Sequence, residues 1–246
     1  MINPPTGDNI YLKVYNSNFV LDLINSVIRN VEEFNATLTG SRDEMADSTS
    51  KSGYIRLIDS INFGEDGDAI KTRINYTLGN EYRSNLTSFE GNGVNIEGIY
   101  FDNPQTQTNE MGLFAKIKNA YVKNVNLSFV TPKNGVQYGT TNVKYSGGLA
   151  GIITNSAIIN VNLDGRDVSL TGLNYVGGLA GLVNGDSLLY GITSNLSVSA
   201  DSAETGLYYS EEDYIALGNY NHAQHISNLS YAGGIAGVID VTKRAG

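Results

Sequence analysis

Tyrosines and acidic residues crowd one stretch of this chain. Between Ser197 and Ser230 stand Tyr208, Tyr209, Glu211, Glu212, Asp213, Tyr214, Tyr220, His222 and His225. Tyrosine couples apolar area to a polar tip, which suits contact with protein or glycan, and loops on a rigid scaffold are where binding usually resides. Tyr208, Tyr209, Glu211, Tyr214 and Tyr220 are therefore the expected ligand-contact residues. The competing reading has the stretch packing its tyrosines on the flank of the fold or adding strands. The absence of Trp counts against a glycan ligand, because Trp commonly stacks on sugar faces.

Other polar groups point to less. His222 and His225, three apart, would suit two metal ligands on one helical turn, but spacing indicates no third, so surface histidines are expected and no metal. Glu65, Asp66 and Asp68 offer oxygen ligands of the calcium type; the match to an EF-hand loop fails after three positions, and a solvated acidic turn is expected. The loop from Pro132 to Lys144, with Lys133 and Tyr138, reads as a second contact surface or as plain insertion. No Gly-x-Ser-x-Gly occurs, and neither His stands near a Ser or Asp in a known local signature. Asp102, Asp164, Arg166 and Asp167 lie on or beside plausible strands, where a carboxylate cluster on a sheet surface would be needed for glycan cleavage. The chain is expected to be non-catalytic, with no cofactor.

The elements that must carry these residues are mostly strands. From Asn16 to Phe34 the apolar positions Val20, Leu21, Leu23, Ile24, Val27, Ile28, Val31 and Phe34 recur at helical spacing, with Asn16 or Ser17 placed to cap. The spacing predicts a helix over residues 18–34, the one helix of the chain, preceded by a short alternating run from Ile10 to Tyr15. Residues 36–53 are polar and read as a surface loop, so residues 1–53 are expected to form an N-terminal cap. Strands are predicted at Tyr54–Ile58, Ile61–Phe63, Ile74–Leu78 and Val94–Phe101.

An internal repeat organises the rest. Gly147-Gly148-Leu149-Ala150-Gly151, Gly177-Gly178-Leu179-Ala180-Gly181 and Gly233-Gly234-Ile235-Ala236-Gly237 are three copies of one phrase, each preceded by Tyr-Ser, Tyr-Val or Tyr-Ala. Met111-Gly112-Leu113-Phe114-Ala115 is a degenerate fourth. Unequal intervals between copies imply a regular core bearing connections of variable length, the longest being an insertion at 197–230. Lys118–Leu127 aligns with Thr154–Leu163 at the 36-residue interval, and Asn-Val-Asn-Leu recurs in both. One strand-turn-strand unit of this size cannot bury its own apolar face, whereas stacked units can, each adding a strand per face at about 4.8 Å. The glycines are expected to allow close approach and to admit positive φ. Leu113, Leu149, Leu179 and Ile235 are expected to form an interior column, and Asn124 over Asn160 an amide ladder.

These phrases resemble the GLUG-motif repeats of bacterial surface β-solenoids. Phe89-Glu90-Gly91-Asn92-Gly93-Val94-Asn95-Ile96, then Gly112-Leu113-Phe114, then the Asn-containing strands, then Gly-Gly-Leu-Ala-Gly follow that family's order, and Val31–Phe34 with Tyr54–Phe63 is similar to its short helix and first strand pair. The resemblance covers roughly residues 31 to 240. It implies an all-β fold, a right-handed parallel β-helix over residues 54–246 with a short N-terminal capping helix. It further implies a non-catalytic binding or structural module of a secreted or cell-surface bacterial adhesin of the filamentous-haemagglutinin-like kind, meeting a host glycoprotein, a glycan or another cell surface. The alternatives it leaves are the non-catalytic β-helix of a surface peptidase acting on immunoglobulin A, or a glycan-cleaving β-helix.

Composition agrees with that class. The chain has 246 residues with 28 Gly and 29 Asn, against a usual Gly share of about 7%, and both residues punctuate turns between short strands. A formal charge of −9 repels phosphate backbones and anionic headgroups, so neither nucleic acid nor membrane insertion is expected. Zero cysteines exclude disulfides and thiolate metal sites. The opening residues are no signal peptide, and the last repeat would leave unpaired strand edges; the chain is therefore expected to be a fragment of a larger polypeptide.

Overall fold

The structure, a computed structural model, describes residues 24–38, 50–51, 54–64, 77–79, 87–100, 110–130, 143–165, 167–172, 174–200 and 230–240. Strand β1 (Ile24–Ile28) leads into helix α1 (Val31–Leu38), and β2 (Ser50–Lys51), β3 (Tyr54–Leu57), β4 (Ile61–Asn62), β5 (Thr77–Gly79), β6 (Thr87–Glu90) and β7 (Asn95–Ile99) follow. The repeats then take over. The first supplies β8 (Glu110–Met111), β9 (Phe114–Lys118) and β10 (Ala120–Phe129). The second supplies β11 (Tyr145–Gly147), β12 (Ala150–Thr154), β13 (Ala157–Asp164) and β14 (Ser169–Gly172). The third supplies β15 (Tyr175–Gly177), β16 (Ala180–Asn184), β17 (Leu188–Ser194) and β18 (Ser197–Ala200), and the fourth β19 (Tyr231–Gly233) and β20 (Ala236–Asp240).

The fold is all-β in class, and its sheets are parallel. One sheet runs β2-β5-β9-β12-β16-β20, a second β8-β11-β15-β19, and a third β1-β3-β6-β10-β13-β17, with β4 and β7 beside it and β14 pairing β18 separately. The first three repeats thus contribute one strand to each sheet and the fourth one to each of the first two, and residues at equal places in the repeat pair directly: Tyr145, Tyr175 and Tyr231; Ile117, Ile153, Val183 and Ile239. The 36-residue alignment holds residue for residue, since Tyr121 pairs with Ala157 and Leu127 with Leu163. Ser197–Ala200, at the start of the expected insertion, form β18 and pair in register with Ser169–Gly172.

Alternation sets the core. In β12 the inward Ile153 is fully buried beside the half-buried Ile152 and Thr154, and the same pattern recurs in β9 and β16. Leu113, Leu149 and Leu179 are all fully buried, and their chain segments are tied by Leu149 N–H to Leu179 O at 2.9 Å and Leu179 N–H to Ile235 O at 2.8 Å. Burying each such side chain stabilises the fold by about 1.5–3 kcal/mol. The glycines beside them serve close approach and not positive φ. A Cβ on Gly148 would lie 2.7 Å from Gly178 O, and one on Gly178 would lie 2.2 Å from Gly234 O. Left-handed backbone falls elsewhere, at Asn119, Asn124, Asn155 and Asn160 among other positions, asparagine being tolerant of that region.

The N-terminal region corrects the predicted helix. Ile24–Ile28 form a strand paired parallel to β3, and the helix begins only at Val31; residues 16–23 lie outside the described residues. The reason is that Val27 and Ile28 are drawn into the interior, at 6% and 0% exposure, and a β-branched pair buried on a parallel sheet outweighs helical spacing. The cap is Asn30, whose Oδ1 accepts the Glu33 N–H at 2.8 Å, while Glu33 accepts the Arg29 N–H at 2.7 Å, a reciprocal arrangement close to a capping box. Phe34 then packs edge-on to Phe63, ring centres 5.4 Å apart.

Candidate functional site

Two sheets meet at a corner where the backbone must turn left-handed. Asn119, Asn155 and Gly185 occupy that corner in successive repeats, with φ of 50°, 48° and 64°. Below each corner the chain enters the third sheet. Ser156 secures the turn: its Oγ accepts the Ala120 N–H at 3.1 Å and donates to Thr154 O at 2.7 Å. Ser187 does the same one repeat on, accepting the Ser156 N–H at 3.2 Å. The third corner is one residue longer than the second, because Thr154 pairs with Asn184 while Ala157 pairs with Leu188. The added residue is Asp186, whose N–H donates to Asn155 Oδ1 at 3.0 Å.

A concavity of about 290 Å³ opens at this corner, lined by Asn119, Ala120, Tyr121, Asn155, Ser156, Ala157, Asp186 and Leu188. Its walls come from one outward-facing column of the third sheet. Tyr54, Ser88, Tyr121, Ala157 and Leu188 are successive register partners, so large and small side chains alternate. Tyr121 is 48% exposed and Leu188 54%, and Tyr190 on the same strand as Leu188 reaches 67%.

Two further clusters of side chains lie on the sheets. Glu90, 6% exposed, pairs with Lys123 Nζ at 3.0 Å and accepts Asn124 Nδ2 at 2.9 Å and the Asn92 N–H at 2.9 Å. Burial pushes its carboxyl up, but these hydrogen bonds and the Lys123 charge outweigh that and hold it below the ordinary value. On the second sheet Tyr145, Tyr175 and Tyr231 stack face to face, with ring centres 4.9 and 5.6 Å apart and planes within 11° and 9°. Lys144 Nζ stands 5.3 Å from the centre of the Tyr145 ring.

Tyr208, Tyr209, Glu211, Tyr214 and Tyr220 lie outside the described residues, as do His222, His225, Glu65, Asp66, Asp68, Asp102 and Arg166. Asp164 accepts from Asn195 Nδ2 at the outer surface, and Asp167 is exposed. Among the described residues no three His, Asp or Glu side chains gather into a metal-binding group. The concavity was not foreseen from sequence, although the 36-residue alignment already sets Tyr121 over Ala157. No family model, curated protein or solved structure matches the chain.

Proposed function

We propose that the chain is a non-catalytic binding module of a secreted or cell-surface bacterial adhesin, a right-handed parallel β-helix presenting side chains on its outer faces to a host or neighbouring cell. The hand follows from the general rule that parallel crossovers within one sheet are right-handed in about 98% of cases. The GLUG-like phrases support the class. The observation that carries the binding role is the concavity between Tyr121 and Leu188, where exposed apolar side chains flank polar groups on a backbone held in continuous register. Stacked repeats of this kind supply a rigid face on which such a site needs little ordering on contact.

The test is binding of the purified chain to host glycoproteins, glycans and bacterial polysaccharides, with mass spectrometry of the supernatant. Binding without cleavage products is the expected result. Products from a polysaccharide overturn the non-catalytic reading, and absence of binding throughout the panel overturns the binding module.

A further inference from the structure

Resting on the binding-module reading, we infer that the slot between Tyr121 and Leu188 holds one ring of an uncharged glycan, a terminal or branch residue inserted over Ala157. The width comes from register. Tyr121 and Leu188 are two repeats apart with Ala157 between them, and two steps of a parallel stack span about 9.5 Å. A flat ring between two walls needs two carbon contacts of about 3.5–4.0 Å each, about 7–8 Å in all, whereas two stacked rings need three. One ring fits and two do not. The volume agrees, because about 290 Å³ stands at the foot of the roughly 300–1,000 Å³ range of small-molecule sites.

The chemistry of the lining selects the ring. Tyr121 offers an aromatic wall and Leu188 an aliphatic one to the C–H faces of a sugar, while the polar residues Asn119, Asn155 and Asp186 complete the lining and suit a ligand that carries hydroxyls. Among the described residues no lysine or arginine lines the slot, and the chain carries −9 overall. A sialic or uronic acid would bring its negative charge up to Asp186 with no cation to receive it, so the neutral sugar is favoured by charge.

A peptide side chain is the rival occupant, and the spacing disfavours it. The column repeats its large-small alternation, with Ser88 between Tyr54 and Tyr121 as Ala157 lies between Tyr121 and Leu188. Gaps between the large side chains of the column therefore recur at about 9.5 Å, while an extended peptide presents same-face side chains about 6.6 Å apart. A dense or branched glycan can fill neighbouring slots with separate ends, and the second contact then gains from effective concentration.

The experiment is saturation-transfer NMR and calorimetry of the purified chain with neutral hexose- and N-acetylhexosamine-terminated oligosaccharides, alongside sialylated and uronate-terminated counterparts. Binding to a neutral set is expected. Ala157→Leu, which fills the slot from the outer face, and Tyr121→Ala, which removes a wall, should each weaken it about tenfold or more, with Ser169→Ala on the separate β14–β18 pair as the unaffected control. The two substitutions fail for different reasons if they fail to fold, and circular dichroism checks both. Neutral binding that is unchanged in folded Ala157→Leu overturns the inference, as does binding restricted to acidic sugars. Capture of a host glycoprotein that survives enzymatic deglycosylation overturns the glycan occupant while leaving the binding module standing. Failure to bind any glycan or glycoprotein overturns both.

Discussion

Asn160 donates its side-chain amide to the side-chain oxygen of Asn124, 36 residues earlier, at 3.1 Å, and both residues hold a left-handed backbone with φ of 54°. Asn124 in turn donates to Glu90 at 2.9 Å, and Gly191 continues the left-handed column one repeat on. The column thus combines two demands, a residue tolerant of positive φ and a side chain that bridges repeats. Asparagine meets both, and glycine meets the first.

Asn160→Gly is accordingly expected to cost up to about 1 kcal/mol, the worth of one exposed hydrogen bond. Asn160→Ala loses the same bond and adds about 1–2 kcal/mol of left-handed strain. Urea unfolding should rank wild type above the Gly variant and the Gly variant above Ala; an Ala variant as stable as Gly would refute the strain argument.

Gly178 and Gly234 occupy the same place in successive repeats with different surroundings. A Cβ at Gly178 would sit against the backbone oxygen of Gly234, whereas among the described residues one at Gly234 meets nothing within 4 Å. Gly178→Ala should therefore destabilise by about 2–3 kcal/mol, the upper part of the overpacking range, and Gly234→Ala should stay within about 0.5 kcal/mol. Thermal melts of the two variants make the comparison.

Glu90 makes stability depend on acid. Its carboxyl is held below the free value of 4.5 in the folded protein, so its contribution is fully present above that value and is lost as pH falls through the folded one. In urea titrations at a series of pH values, Glu90→Gln should be less stable than wild type near neutrality and should show a flatter decline below pH 4.5. Parallel acid limbs in the two proteins would assign the decline to other carboxylates.

Tyr175 stands between Tyr145 and Tyr231 and is stacked on both sides. Tyr175→Ala removes two aromatic pairs worth about 0.5–1.5 kcal/mol each beyond area, while Tyr175→Phe keeps both. Burial, then the neighbouring Tyr145, raises the Tyr175 hydroxyl above its ordinary 10.0. Stability tied to the neutral phenol is therefore present below that value and lost as pH rises through the folded one, and Phe should abolish this alkaline dependence. With no Trp in the chain, near-ultraviolet circular dichroism reports the tyrosines directly and should weaken in the Ala variant.

Much of the architecture was legible because stacked repeats carry their register in the sequence itself. Lys118–Leu127 over Thr154–Leu163, the Leu149–Leu179–Ile235 column and the Asn124–Asn160 contact each follow from aligning like with like. Residues 24–28 were misread because Ile24, Val27 and Ile28 fit helical spacing equally well, and the partner that makes them a strand, Tyr54–Leu57, lies beyond a helix and a further connection. The concavity was hidden for another reason. Ala157 is unremarkable alone; it becomes a floor because Tyr121 precedes it by one repeat and Leu188 follows by another, and the extra Asp186 shifts the second interval by one residue.

In the β2-β5-β9-β12-β16-β20 sheet, order in space follows order along the chain. The hydrogen bonds of a parallel stack point from one repeat to the next, so tension drawn between its first and last strands pulls along those bonds. Tension so applied parts neighbouring repeats and does not shear one strand along another. A stack loaded in this way is expected to yield from an end, one repeat at a time, and a repeat of about 30 residues lengthens the tether by up to about 100 Å. A module anchored at both ends would act as a shock absorber, paying out length in steps while the repeats still stacked stay intact.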